Sequence, residues 1–392
     1  MCGPRSGRLA PPKPGGPLLS ARIDFVIGTR PEAIKLAPVA LELVRRCVPI
    51  HLYSTGQHPG LDLADHGLGR QPATRLGCAG RRDPIDHVDD VERALAGQWR
   101  RAAPELVVVQ GDTSSALGGA RAARRCGLPL AHVEAGLRSF DLASPWPEEQ
   151  FRVEIDRLSD LLFAPTATAA ANLHREGCEG TLHVTGNSGI DALLAQLDRM
   201  PRPRRRRVAR GPLKLLVTCH RRENWGTGLV SLALALIELA RQGDAEIDVV
   251  LHPNPQVAQA MFALLSDEPR VRLIAPLGHG AMIAAMRRAD LILSDSGGVQ
   301  EEAPALGVPL LVLRDATERP EGVASGNAML VGTETARVVD AVTRLIADRS
   351  ALAAMAIARF PFGDGQSAPR IAALALAWLD AHAEDAGRTL SA

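Results

Sequence analysis

The chain has 392 residues, 46% of them apolar, which is enough for two hydrophobic cores of roughly 150 to 200 residues each. Its 45 Lys and Arg against 44 Asp and Glu leave a formal charge of +1, which argues against a general nucleic-acid or membrane-surface role and points to a small anionic partner. Aromatic residues make up 3% with a single Tyr, disfavouring stacking platforms for nucleic acid, and no apolar run approaches the roughly 18 residues of a membrane span.

Residues 1–20 are rich in Pro, Gly and basic residues but lack an apolar core, so they read as a disordered N-terminal tail and not a secretion signal. Residues 23–27 form a strand, apolar but for Asp24, and Gly28-Thr29-Arg30-Pro31-Glu32 turns it into a helix over 33–46. Strands are expected at 50–54, 105–110, 129–133 and 161–164, each followed by a loop and a helix. This is a βαβ rhythm, and it implies a parallel sheet covered by helices. The segment 200–211, with Pro201-Arg202-Pro203 and Arg204 to Arg207, breaks the rhythm and reads as a solvated linker near a domain boundary, with a nucleic-acid patch as the alternative. The rhythm restarts with strands at 213–218, 246–252, 270–274, 291–294 and 309–313, and a last helical pattern runs from about 368 to 382. Six scattered cysteines without a Cys-x-x-Cys pair read as reduced thiols of a cytoplasmic protein.

In such sheets ligands sit beyond the carboxyl ends of the strands. The polar clusters fall there: Arg30 and Lys35 after the first strand, Gly111-Asp112-Thr113, the run from His132 to Arg138, and the run from His220 to Asn224. After the strand 291–294, Ser294, Ser296, Gly297 and Gly298 lead into a helix start whose unpaired N–H groups suit a phosphate. An ordinary capped turn is the alternative there.

These runs, with Ser144-Pro145-Trp146-Pro147-Glu148-Glu149, Asp295-Ser296-Gly297-Gly298-Val299-Gln300-Glu301-Glu302-Ala303-Pro304 and Thr317-Glu318-Arg319-Pro320-Glu321, resemble the non-hydrolysing UDP-N-acetylglucosamine 2-epimerases over about residues 22–385. The resemblance implies an α/β, GT-B-like fold: Rossmann-like domains with parallel sheets at 21–186 and 187–365, an active-site cleft between them, and a C-terminal helix at about 366–386 that rejoins the first domain. It implies reversible C2 epimerisation of UDP-N-acetylglucosamine to UDP-N-acetylmannosamine by anti elimination of UDP to 2-acetamidoglucal and re-addition, without NAD or metal. A homodimer serving polysaccharide synthesis, with no nucleic-acid or membrane partner, is a further implication. The residues agree with the first two absences: there is no Gly-x-Gly-x-x-Gly, no Asp-x-Asp and no metal-spaced His pair.

On this resemblance Asp112, Glu134 and Glu148 are candidates for proton transfer and oxocarbenium stabilisation, with the face served by each left open. Capping or ion-pairing carboxylates at strand ends are the bland alternative. His220 could act as an acid or hold the diphosphate. Arg30, Lys35, Arg138 and the Ser296-Gly297-Gly298 helix start are assigned to substrate and diphosphate. Ser296, Glu302 and Arg319 match positions that hold the UDP moiety, Glu302 suiting ribose hydroxyls, and His252 also sits on a family motif. An exposed ion pair at a helix start is the alternative for Arg319.

Two departures stand out. His279 and Met282 occupy positions where many members carry a Tyr and a Phe near the uracil, so base stacking is not carried over. Of two Gln residues that help bacterial members hold an activating second substrate, Gln57 has a counterpart but the other position is Gly60, and that regulation is not carried over. A hydrolysing relative that releases UDP and N-acetylmannosamine, an epimerase of a related nucleotide sugar, a GT-B glycosyltransferase and a non-catalytic nucleotide-sugar-binding module are the alternatives.

Overall fold

Strands β1 (Ile23–Ile27), β2 (Ile50–Ser54), β3 (Ala73–Arg75), β4 (Leu106–Gln110), β5 (Leu130–Val133), β6 (Leu161–Ala164) and β7 (Thr181–Val184) form a parallel sheet in the order β3-β2-β1-β4-β5-β6-β7. A second parallel sheet has the order β10-β9-β8-β11-β12-β13, built from β8 (Leu213–Thr218), β9 (Ala245–Val250), β10 (Val271–Ile274), β11 (Leu291–Ser294), β12 (Leu310–Val312) and β13 (Ala328–Leu330). The computed structural model describes residues 21–143, 145–201, 211–219, 221 and 224–389. The tail expected at 1–20, the arginine run within 202–210, Ser144 and His220 lie outside them.

Helices cover both faces of each sheet, which is why the central strands are mostly apolar and buried on both sides. All five residues of β1 are buried, including Asp24, whose carboxylate accepts hydrogen bonds from Trp99 Nε1 at 2.9 Å and Arg22 Nε at 2.8 Å. The first helix runs Arg30–Arg45 and so begins three residues before the expected start. Thr29 is its N-cap, Pro31 lies in its first turn and Glu32 closes a capping box, so the helix begins where its orphan N–H groups find acceptors. The last helix, Ser367–Thr389, buries Ala368, Ile371, Ala372, Ala375 and Leu379 in the core that Leu36 and Leu43 form against the first sheet. Each fully buried Leu or Ile contributes about 1.5 to 3 kcal/mol, so this docking ties the chain's end firmly to the first sheet.

The strand order reverses once in each sheet, between β1 and β4 and between β8 and β11. Connections leave to opposite faces at these points, and a crevice opens beyond the carboxyl ends of the two strands. Arg30 and Lys35 follow β1, Gly111-Asp112-Thr113 follows β4 and Ser296-Gly297-Gly298 follows β11, so these clusters lie beside the two crevices.

Candidate active site

After β1 the chain turns through Gly28 and Thr29 into the Arg30–Arg45 helix. A Cβ on Gly28 would stand 1.9 Å from the Ser115 hydroxyl oxygen, so only glycine lets this turn lie on the start of the Ser114–Arg125 helix. Arg30 is exposed and its Nη1 lies 3.4 Å from the Leu277 carbonyl oxygen of the second half.

Lys35, one turn on, is buried and ion-paired with Glu134 and, at 2.9 Å, with Glu301. Arg319 completes a ring, its Nε donating to Glu301 at 2.6 Å and its Nη2 to Glu134 at 3.1 Å. Each half of the molecule thus supplies one cation and one carboxylate. Burial pushes the Glu134 carboxyl up against the pull of Lys35. Burial also works against the charge on Lys35, but Glu134 and Glu301 outweigh it and hold the ammonium up. Glu134 has a left-handed backbone (φ 73°), uncommon for a residue with a Cβ, fixed by the Glu134 and Ala135 N–H groups, which both donate to the Phe163 carbonyl at 3.0 and 3.1 Å.

Asp112 follows β4 and is ion-paired with Arg152, a residue not anticipated from the sequence. Arg152 stands four residues after Glu148 on the Glu148–Leu158 helix, a spacing that puts both on one face and was the available signal. Burial pushes the Glu148 carboxyl up, and the neighbouring charge of Asp112 adds to it.

In the second half, Ser296 is the N-cap of the Gly297–Leu306 helix, but its hydroxyl accepts no bond from that helix, so the first N–H groups keep their capacity for an anion. A Cβ on Gly297 would lie 2.8 Å from Arg319 Cζ, so glycine brings the guanidinium against the helix start. At Gly298 a Cβ would meet only Ser296 Oγ, at 4.0 Å. Glu302 lies 2.7 Å from His279 Nε2, so an imidazole already faces the carboxylate expected at ribose hydroxyls. His252, just past β9, accepts the Asn254 N–H at its Nδ1 at 2.8 Å. Glu318, also unanticipated, pairs with Arg319, Arg221 and Arg314, which overcome its burial and hold its carboxyl well below the usual range.

Arg138, expected at substrate and diphosphate, does not join these groups. Its guanidinium, 1% exposed, pairs with Asp156 at 2.7 Å and Glu176 at 2.8 Å and donates to the Leu137 carbonyl at 2.8 Å. Asp156 in turn accepts the Gly136 N–H at 3.1 Å, so Arg138 braces the turn that presents Glu134. Arg138→Met is expected to cost up to about 3 kcal/mol of stability, because the buried Asp156 loses its guanidinium and keeps only His132, 2.6 Å away, and the Gly136 N–H, with UDP affinity changed less than about threefold. Urea unfolding and calorimetric titration read the two separately, and a large loss of UDP affinity in a folded variant would return Arg138 to the site.

Glu32 is a second buried carboxyl beside the first crevice. Burial pushes it up to about 7 from an ordinary 4.5, against its hydrogen bonds to Thr113, Thr29 and Gly28. A raised folded-state value means stability that is fully present below about 4.5 and lost as pH rises through about 7. The amount is at most about 3 kcal/mol, and that slope should be missing from the pH profile of chemical unfolding of Glu32→Gln. A variant slope equal to the wild type's would refute this.

A family model described as UDP-N-acetylglucosamine 2-epimerase matches residues 43–376. The UDP-N-acetylglucosamine 2-epimerase of Yersinia pestis is 39% identical over 379 residues, covering 89% of this chain and 97% of that protein. The crystal structure of the UDP-GlcNAc 2-epimerase from Neisseria meningitidis bound to UDP-GlcNAc superposes with a TM-score of 0.83 at 35% identity, over 91% of this chain and 99% of that one. Acinetobacter baumannii MurG shares the fold alone, with a TM-score of 0.57 at 16% identity over 90% of this chain and 98% of its own. The architecture is GT-B, as expected from the sequence. Matches of this length, together with polar groups gathered at the reversal points of both sheets, show that the chain belongs to the UDP-N-acetylglucosamine 2-epimerase family.

Proposed function

We propose that the protein reversibly interconverts UDP-N-acetylglucosamine and UDP-N-acetylmannosamine without net hydrolysis. No carbonyl acidifies the hydrogen on C2, so it becomes removable only as the bond from C1 to the diphosphate breaks. One carboxylate takes the C2 proton while the C1–O electron pair leaves on UDP, and the C1–C2 double bond of 2-acetamidoglucal forms. In the return step the double bond takes a proton at C2 from the opposite face, and the UDP oxygen re-forms its bond to C1. Such chemistry needs proton carriers in unlike states, stabilisation of the leaving anion and a closed cleft.

The observation that carries this reading is a pair of carboxyls in unlike surroundings. Glu148 is pushed toward the protonated form by burial and by Asp112, whereas Asp112 itself is ion-paired with Arg152. We assign proton transfer to Asp112, Glu134 and Glu148, with His220 in the same set. Ser296, Gly297, Gly298 and Arg319 would take the diphosphate, Glu302 the ribose, and Arg30, Lys35 and His252 would complete the contacts.

The test is proton NMR of UDP-N-acetylglucosamine incubated with the protein in deuterium oxide. UDP-N-acetylmannosamine should appear with deuterium at C2, and the recovered starting sugar nucleotide should carry it too. Accumulation of UDP with free N-acetylmannosamine would mark a hydrolysing enzyme. Retention of the C2 hydrogen in all species would leave a binding module or a glycosyltransferase.

A further inference from the structure

Glu32 joins the two loops that flank the crevice of the first sheet. In an ordinary capping box the third helical residue returns a hydrogen bond to the N-cap N–H from the helix surface. Glu32 is fully buried and does more. Its Oε2 accepts the Gly28 N–H at 2.9 Å, the Thr29 N–H at 2.6 Å and the Thr29 hydroxyl at 2.8 Å, and its Oε1 accepts the Thr113 hydroxyl at 2.7 Å. The first three donors belong to the turn after β1 and the fourth to the turn after β4. Those are the two strands between which the sheet order reverses.

Thr113 adjoins Asp112, and its Oγ1 also accepts the Ala116 N–H at 3.0 Å, capping the Ser114–Arg125 helix. All four groups that donate to Glu32 are neutral. Capping needs only one carboxyl oxygen, and Oε2 supplies it; the bond from the Thr113 hydroxyl to Oε1 ties Glu32 to a second turn. Beyond the strand ends no ladder hydrogen bonds hold the two turns together. With the tie to Glu32 cut, Gly111 stays bonded to the Val133 carbonyl and to His132, but on the far side of the turn the ion pair with Arg152 would draw Asp112 toward the Glu148–Leu158 helix.

We propose that Glu32 is a positioning residue for the epimerisation: its carboxylate pins the Asp112-Thr113 turn to the Gly28-Thr29 turn and so fixes the position from which Asp112 moves a proton. The inference rests on Asp112 being a proton carrier. Small displacements of a reacting group are expensive, a misplacement of about 1 Å being enough for a loss of roughly a hundredfold in rate.

The test compares wild type, Glu32→Gln, Thr113→Val and Thr113→Ser in kcat for UDP-N-acetylglucosamine, in UDP affinity by calorimetry and in thermal midpoint. In Glu32→Gln and Thr113→Val, kcat should fall at least about tenfold with UDP affinity within about threefold of wild type, because the nucleotide is read as held by the second half. Thr113→Ser keeps the hydroxyl and should retain at least about ten times the kcat of Thr113→Val. The double variant Glu32→Gln/Thr113→Val should be little slower than its slower parent, since both changes act on the same bond: Gln can no longer accept from the Thr113 hydroxyl at Oε1, and Val has no hydroxyl. A Glu32→Gln kcat within about twofold of an active wild type overturns the proposal, as does a parallel fall of kcat and UDP affinity, which marks a general loosening of the fold. Should Glu32→Gln fail to accumulate, the Thr113 pair carries the test: equal kcat in the two Thr113 variants overturns it. A wild type that leaves the C2 hydrogen unexchanged overturns the reaction reading and this inference with it.

Discussion

Asp112→Asn is expected to lower kcat for C2 epimerisation by about 10²- to 10⁴-fold, the span usual for losing a positioned acid-base group, while UDP should bind within about threefold of its wild-type affinity. Asn keeps the size of Asp but cannot take up a proton, so packing and chemistry are separated. Two neighbours respond in ways that can be read. Arg152 loses its pairing with Asp112 but keeps Glu149, 3.1 Å from its Nη1, so the Glu148–Leu158 helix stays in place. Glu148 loses the negative charge that adds to burial in raising its carboxyl, so its pKa moves back down toward the ordinary 4.5. The limb of the residual pH profile that Glu148 controls therefore shifts to lower pH. A kcat within about tenfold of wild type would remove Asp112 from the proton-transfer set.

The parts of the fold legible in the sequence are those where local pattern and burial agree. β1, β2, β4, β5, β6, β8 and β11 are mostly apolar and buried because helices cover both faces, and each is read within a residue or so of its observed bounds. β3, β7 and β13 were not anticipated. Ala73–Arg75, Thr181–Val184 and Ala328–Leu330 lie at sheet edges, carry three or four residues each and are mostly half-buried or exposed; the first two have no apolar run, and that of the third is too short to stand out. In the site, residue types at strand ends were legible and pairings were not. Arg138 has the right chemistry for a phosphate, and nothing local in the sequence shows that Asp156 and Glu176, 18 and 38 residues on, have taken its guanidinium. Lys35 and Glu301 are 266 positions apart and meet only because the two halves close on each other. Glu32 was visible as part of a helix-start motif, but its bond to Thr113, 81 positions away, depends on which strands of the sheet are neighbours.

Arg319→Met should be the most damaging single change to the unliganded protein. Three carboxylates, those of Glu134, Glu301 and Glu318, pair with this one buried guanidinium. Burial works against its charge, and the three carboxylates more than compensate. Methionine fills much of the same volume without charge and leaves Lys35 alone to face Glu134 and Glu301, while Glu318 keeps Arg221 and Arg314. Removing one partner from a buried ion network typically costs about 3 to 5 kcal/mol, which for a chain with two cores of this size is a fall of roughly 10 °C in thermal midpoint. Adding Glu301→Gln should return part of that loss, because it removes one of the two carboxylates that Lys35 cannot neutralise together. Arg319 also packs against the start of the Gly297–Leu306 helix, so UDP affinity should fall in the single variant and stay low in the double one. Thermal unfolding with and without UDP separates the two effects: stability that recovers in the double variant while UDP protection does not places Arg319 in both roles. A single variant whose midpoint stays within about 2 °C of wild type would mean that the ion ring contributes little to joining the two halves.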